Sequence, residues 1–225
     1  MIMKWLKIRH ITSILAFVFA FHASAQNLDH SDINNFLTQK ISPFLLESNE
    51  ARPKQFDESL NAHISKLESL KSKVSDDKRF LRQLFFRTHR KFLKKYDASS
   101  TLTDMMETGK YGCVSGTVLY AVLLEYFDFE FNIVELTNHV YLKVDLEDEN
   151  YTFESTDPAR GFTQTNGSLE GSIKPNALIS RNTYSLSEVG NSRANIGPAY
   201  VNDGLTLEQM AGLQFFNLSV NDYFE

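Results

Sequence analysis

A thiol, an imidazole and a carboxylate are the parts of a nucleophilic catalyst, and this chain sets all three in contexts that suit those roles. Cys113 is the sole cysteine. It follows Gly112 and opens a stretch, Cys113 to Phe127, that is apolar nearly all round and therefore predicts a central buried helix. At the first turn of a helix, free N–H groups and the positive end of the dipole favour a thiolate. The same N–H groups can stabilise an oxyanion once sulfur attacks a carbonyl. Cysteine is also among the most buried residue types, so position alone leaves an inert packed thiol as the competing reading.

His139 and Asp157 supply the rest. Beyond Phe131 the hydrophobic period falls to two, which predicts strands over 131–136, 139–145 and 151–156. Opposed residues of an antiparallel pair share a constant index sum. A hairpin centred on Asp148 has the sum 296, which sets His139 opposite Asp157, Tyr141 opposite Ser155, Lys143 opposite Phe153 and Asp145 opposite Tyr151. In that register Asp157 orients the imidazole, His139 takes and returns the proton of Cys113, and Glu154 falls on the other face. The competing reading has His139 merely packed and Asp157 opening a turn with Pro158. Tyr111 and Asn138 are candidate oxyanion donors by proximity.

These residues also resemble a known group. Tyr111-Gly-Cys at the head of the buried helix, Asn138-His-Val-Tyr-Leu-Lys-Val, and Glu154-Ser-Thr-Asp-Pro-Ala-Arg-Gly-Phe162 are similar to the transglutaminase-like superfamily of cysteine enzymes, in its exported bacterial form. The likeness covers roughly Asp104 to Phe162. It implies a papain-like α+β fold, with N-terminal helices and the Cys-bearing helix packed on a small antiparallel sheet. It also implies Cys113, His139 and Asp157 as the catalytic set. Val114 stands where protein-crosslinking members carry tryptophan, and the Cys-to-His interval of 26 (139 − 113) is short for them. Both argue against crosslinking and leave thiol acyl chemistry. The closing helix resembles one that in some relatives leads into tetratricopeptide repeats.

The elements that must position these groups are legible upstream. Residues 26–100 read as a helical region and 101–225 as the core that carries the site. Ile33, Phe36, Leu37, Ile41, Phe44 and Leu45 recur at helical spacing up to Ser42-Pro43, and Leu60, Ile64, Leu67, Leu70 and Val74 form a second stripe with Asp57 as a cap. Asp76 or Asp77 opens a third helix through Tyr96, with His89 packed on its apolar side and a basic outer face from Arg79 to Lys95 that reads as solvated. A short helix near 101–107 ends at Gly109. The segment 161–203 reads as loops with a short strand or two. A last helix, 207–224, starts from a Thr206/Gln209 capping box and a Leu205/Met210 staple.

The first 25 residues read as a cleaved export signal: Lys4, Lys7 and Arg9, an apolar run from Ile11 to Phe21, then Ala23-Ser-Ala25. The run is short for a bilayer span of about 20 residues, so no stable membrane anchor is expected. Three of the 23 basic residues and none of the 28 acidic ones lie there, which leaves a formal charge of −8 (20 − 28) on the rest. That balance argues against nucleic acid as a partner. A lone thiol sent to the periplasm or outside the cell is buried and inert or kept for its chemistry. His30, His63, His89 and His139 show no metal-ligand spacing, and neither cofactor nor metal is expected. The expectation is an exported thiol enzyme that acts by hydrolysis or acyl transfer on a peptide, protein or cell-wall amide. The alternative is a catalytically silent domain of the same fold that binds a peptide or cell-wall fragment.

Overall fold

The computed structural model describes residues 30–45, 52–136, 139–146, 149–165 and 202–224. The expected export signal, Asn138 and most of the segment 161–203 lie outside them. The architecture is mixed α+β, with six helices and a small antiparallel sheet among the described residues.

Three helices come first. α1 (His30–Ile41) ends where Ser42-Pro43 turns the chain into a single 3₁₀ turn, because proline has no N–H to continue the ladder. α2 (Lys54–Lys71) starts behind Pro53, earlier than expected, so Asp57 lies inside its first turn and pairs with Arg52 at 2.6 Å rather than capping. α3 (Asp77–Phe92) is capped by Asp76, whose side chain accepts from the Arg79 amide. Its buried residues, Phe80, Leu81, Leu84, Phe85, Thr88, His89 and Phe92, follow the i, i+3, i+4, i+7 rule of an amphipathic helix.

Next, β1 (Lys95–Tyr96) pairs in parallel with β2 (Lys110–Tyr111) around the short α4 (Leu102–Thr108). Thr101 and Asp104 form a capping box at the head of α4, and Gly109 closes it at φ +77°, where a Cβ would be strained. α5 (Cys113–Tyr126) is the buried helix that the sequence predicts, with Val114 through Leu124 all shielded from solvent.

The five-stranded sheet runs in the order β6-β5-β4-β3-β7, all antiparallel: β3 (Phe131–Leu136), β4 (His139–Leu146), β5 (Glu149–Phe153), β6 (Phe162–Thr165) and β7 (Asn202–Leu205). Ile133, Leu142, Phe153 and Phe162 face one another across four strands and are all buried. α6 (Leu207–Phe224) begins with the expected capping box, Thr206 N–H donating to Gln209 Oε1 and Gln209 N–H to Thr206 Oγ1. One hydrophobic core runs from Ile33 on α1 to Ala211 on α6.

The hairpin register corrects the sequence expectation. Leu142 opposes Phe153 and Val144 opposes Tyr151, an index sum of 295 rather than 296. A slip of one residue exchanges the faces of an entire strand. The observed choice buries Leu142, Val144, Tyr151 and Phe153 together, whereas the sum of 296 would have set Lys143 against Phe153 and Asp145 against Tyr151. Hydrophobic burial decides the register.

Candidate active site

Cys113 is the first residue of α5, half-buried, with Gly112 as its N-cap. The Ser115 hydroxyl accepts from the Gly112 N–H at 2.9 Å and fastens the turn that delivers the thiol. One helical turn below Cys113, the Thr117 hydroxyl donates to the Val140 carbonyl at 3.2 Å, which ties the helix start to the start of β4. α5 can lie so close to the turn that follows β5 because residue 116 is glycine. A Cβ there would sit 2.8 Å from the Cβ and Oγ of Ser155.

His139 opens β4 and is buried, 7 % exposed. Its Nε2 is hydrogen-bonded to the Glu154 carboxylate. The other carboxylate oxygen of Glu154 accepts from the amide and the hydroxyl of Thr156, at 2.8 and 2.6 Å, so the acid is held from both ends. Nδ1 is buried and has no partner of ordinary geometry, which leaves it as the nitrogen free to meet the Cys113 thiol. Burial by itself would lower the ring's pKa. Hydrogen bonding with Cys113 and then with Glu154 outweighs burial and pushes it up to about 10. The neighbouring carboxylate and thiol thus favour the charged form of the imidazole against the cost of burying it.

Asp157, the expected orienting acid, does something else. Its Oδ1 accepts from the amides of Ala159 and Arg160 at 3.2 and 3.0 Å, and its Oδ2 pairs with the Arg160 guanidinium at 3.2 Å. It opens a turn with Pro158 and makes no bond with His139. The register explains the exchange: continued beyond Phe153, the sum of 295 brings even-numbered residues of the second strand to the side of His139 and Tyr141, and Glu154 is the first of them. The chain then turns back, with the Glu154 N–H donating to the Gly161 carbonyl at 2.8 Å. Gly161 is required there, since a Cβ would stand 2.1 Å from the Glu154 carbonyl oxygen.

The surroundings are aromatic. Tyr141 stacks beside the His139 ring, with centroids 6.4 Å apart. Tyr111 lies edge-on to both Tyr96 and His89. His89 is a packed histidine, as its place on the apolar stripe implies. Its Nε2–H donates to the Ser155 carbonyl at 3.0 Å, the Tyr111 hydroxyl lies 3.3 Å from the same nitrogen, and burial lowers its pKa. Tyr111 is thus engaged with His89, and Tyr96 is a second phenol near enough to Cys113 to feel its charge. Burial first, then the nearness of Cys113 and Glu154, raises the Tyr96 pKa well above the ordinary tyrosine range.

Sequence reasoning weighed Glu154 as the competing carboxylate and set it on the opposite face, because it took an index sum of 296 instead of 295. The signal that finds it is the burial parity of the second strand: Tyr151 and Phe153 share a face with Val140, Leu142 and Val144 only if the index sum is odd. Among the described residues no group of three or more His, Cys, Asp or Glu side chains is arranged to hold a metal ion, and no helix is long and apolar enough to cross a membrane. Comparison with family models, with curated proteins and with solved structures finds no match to this chain.

Proposed function

We propose that the chain is a thiol acyl-transfer enzyme of papain/transglutaminase-like fold that works through Cys113, His139 and Glu154. The observation that carries this reading is a buried imidazole gripped at Nε2 by a doubly anchored carboxylate, with its buried Nδ1 unpartnered and the helix-tip thiol of Cys113 near enough to act on its pKa. Cys113 Sγ attacks the carbonyl carbon of an amide. The backbone amides of Cys113 and Val114, the first two of α5 and so without intrahelical acceptors, supply the donors for the developing oxyanion. His139 holds the thiol proton and delivers it to the leaving nitrogen as the C–N bond breaks, giving a thioester and a free amine. His139 then removes a proton from water or an incoming amine, which attacks the thioester and returns the thiol. Glu154 keeps Nε2 engaged and balances the imidazolium throughout. The substrates that fit are peptide, protein or cell-wall amides, met after export to the periplasm or the exterior. No metal or organic cofactor enters the scheme.

The test is labelling by an acyl-directed electrophile such as a peptidyl acyloxymethyl ketone. Cys113→Ala should abolish labelling with the fold retained, as judged by circular dichroism. His139→Ala should slow it by on the order of 10²-fold or more. Wild-type labelling that does not depend on His139 would remove the enzyme reading and favour a silent domain that uses the same surface only to bind.

A further inference from the structure

A second feature lies away from the thiol site, between α2 and α3. A cleft of about 240 Å³ opens there, lined by His63, Lys66 and Leu67 from one helix and Arg87, Arg90 and Lys91 from the other. Five of these six side chains are basic and none is acidic. The acids that α2 and α3 own are committed elsewhere: Asp57 to Arg52, Glu58 to Lys54, Glu68 to the Tyr126 hydroxyl and Asp77 to Lys71. Among the described residues, Lys66, Arg87, Arg90 and Lys91 have no carboxylate partner. Arg87 meets only the neutral Gln83, and Lys91 gives one of its donors to the Ser59 carbonyl at 2.6 Å. Four cations without a carboxylate partner thus share one cleft of a chain whose net charge is −5.

We propose that this cleft binds a small anion carrying two or more adjacent phosphate-type charges. Cations line both walls, Lys66 on one side and Arg87, Arg90 and Lys91 on the other, so a phosphate-type anion can draw on ammonium and guanidinium donors from two helices. The volume is below the roughly 300–1,000 Å³ of drug-sized pockets, so it admits one compact ligand. His63 forms the floor: it is buried, its Nε2 is 2.9 Å from the Thr88 hydroxyl, and burial together with Lys91, Arg87 and Lys66 lowers its pKa to about 4. The ring is thereby neutral and adds a reporter of the local positive field.

The test is isothermal titration of the full mature chain with inorganic pyrophosphate at low ionic strength. Saturable one-to-one binding is expected, weakened about tenfold by Lys66→Gln and by Arg90→Gln, each of which removes a charged donor. Arg79→Gln and Arg82→Gln, on the same basic helix but outside the cleft, should leave it unchanged, as should Cys113→Ala, which separates this site from the thiol chemistry. The His63 ring resonances should titrate at higher pH in the bound form. Absence of saturable binding, equal loss in the Arg79 and Arg82 variants, or equal affinity for citrate would each overturn the proposal.

Discussion

Glu154→Gln and Asp157→Ala separate the two carboxylates that compete for one role. Glu154 touches the His139 ring and Asp157 does not. Glu154→Gln should therefore slow acyl-probe labelling of Cys113 by on the order of 10²-fold, in the range of a lost acid–base partner. Asp157→Ala should leave labelling near wild type and cost about 1 kcal/mol of stability, since it removes the acceptor for two turn amides. Labelling rates beside chemical denaturation of both variants read the difference. His139 adds a pH signature. Its pKa in the fold, about 10, stands above the roughly 6.5 of an unfolded chain. Its stabilising contribution is complete below that lower value and is lost as pH rises toward the higher one. Wild type should lose more stability than His139→Gln between pH 7 and 10, and a parallel decline of the two would contradict the assignment.

Between elements, the site depends on how closely α5 can approach the sheet. Gly116 allows Ser155 to pack against the helix, and Thr117 fastens the helix to β4 beside His139. Gly116→Ala forces a methyl group to within 2.8 Å of Ser155. It should cost ~1–3 kcal/mol, the usual range for overpacking a core, with a matching drop in denaturation midpoint. Because the shifted helix carries the thiol, labelling should slow as well, although residue 116 touches no reacting atom. Unchanged stability and rate would mean that the approach is looser than this geometry requires.

At the scale of the whole molecule, the last helix closes a loop in the architecture. Gln214 on α6 accepts from the Leu102 amide at 2.8 Å and donates to the Phe44 carbonyl at 2.9 Å, both in buried surroundings. One side chain thus joins the C-terminal helix to the head of α4 and the end of the first helical segment. Gln214→Leu leaves a buried donor and a buried acceptor without partners, and should cost ~1–3 kcal/mol for each group left unsatisfied. The acid limit of stability should come partly from the α2–α3 interface. His63 is held neutral with its pKa near 4, so its contribution is complete above about 6.5 and is lost as pH falls through that window. Thermal unfolding between pH 7 and 4 should be steeper for wild type than for His63→Gln, and equal slopes would rule the contribution out.

The local pattern of the chain was enough to place the helices (the third ends at Phe92, before the expected Tyr96), the glycine stop of α4, the capping box of α6 and the three central strands (the last runs 149–153 where 151–156 was expected), because periodicity, caps and turn residues act over a few neighbours. It was also enough to single out Cys113 at a helix tip and His139 at a strand start. The choice between Glu154 and Asp157 is different in kind. It depends on a register that differs by one residue, and that register is set by which faces of two strands share a core with α5. The parity of Tyr151 and Phe153 carried the hint, but the polar loop suggested the other centre. Only the packed sheet, where burying four large side chains outweighs the symmetry of a turn, decided which acid reaches the imidazole. The basic face of α3 is solvated, as its sequence implies, and only the packing of α2 shows that Arg87, Arg90 and Lys91 share a cleft with His63 and Lys66.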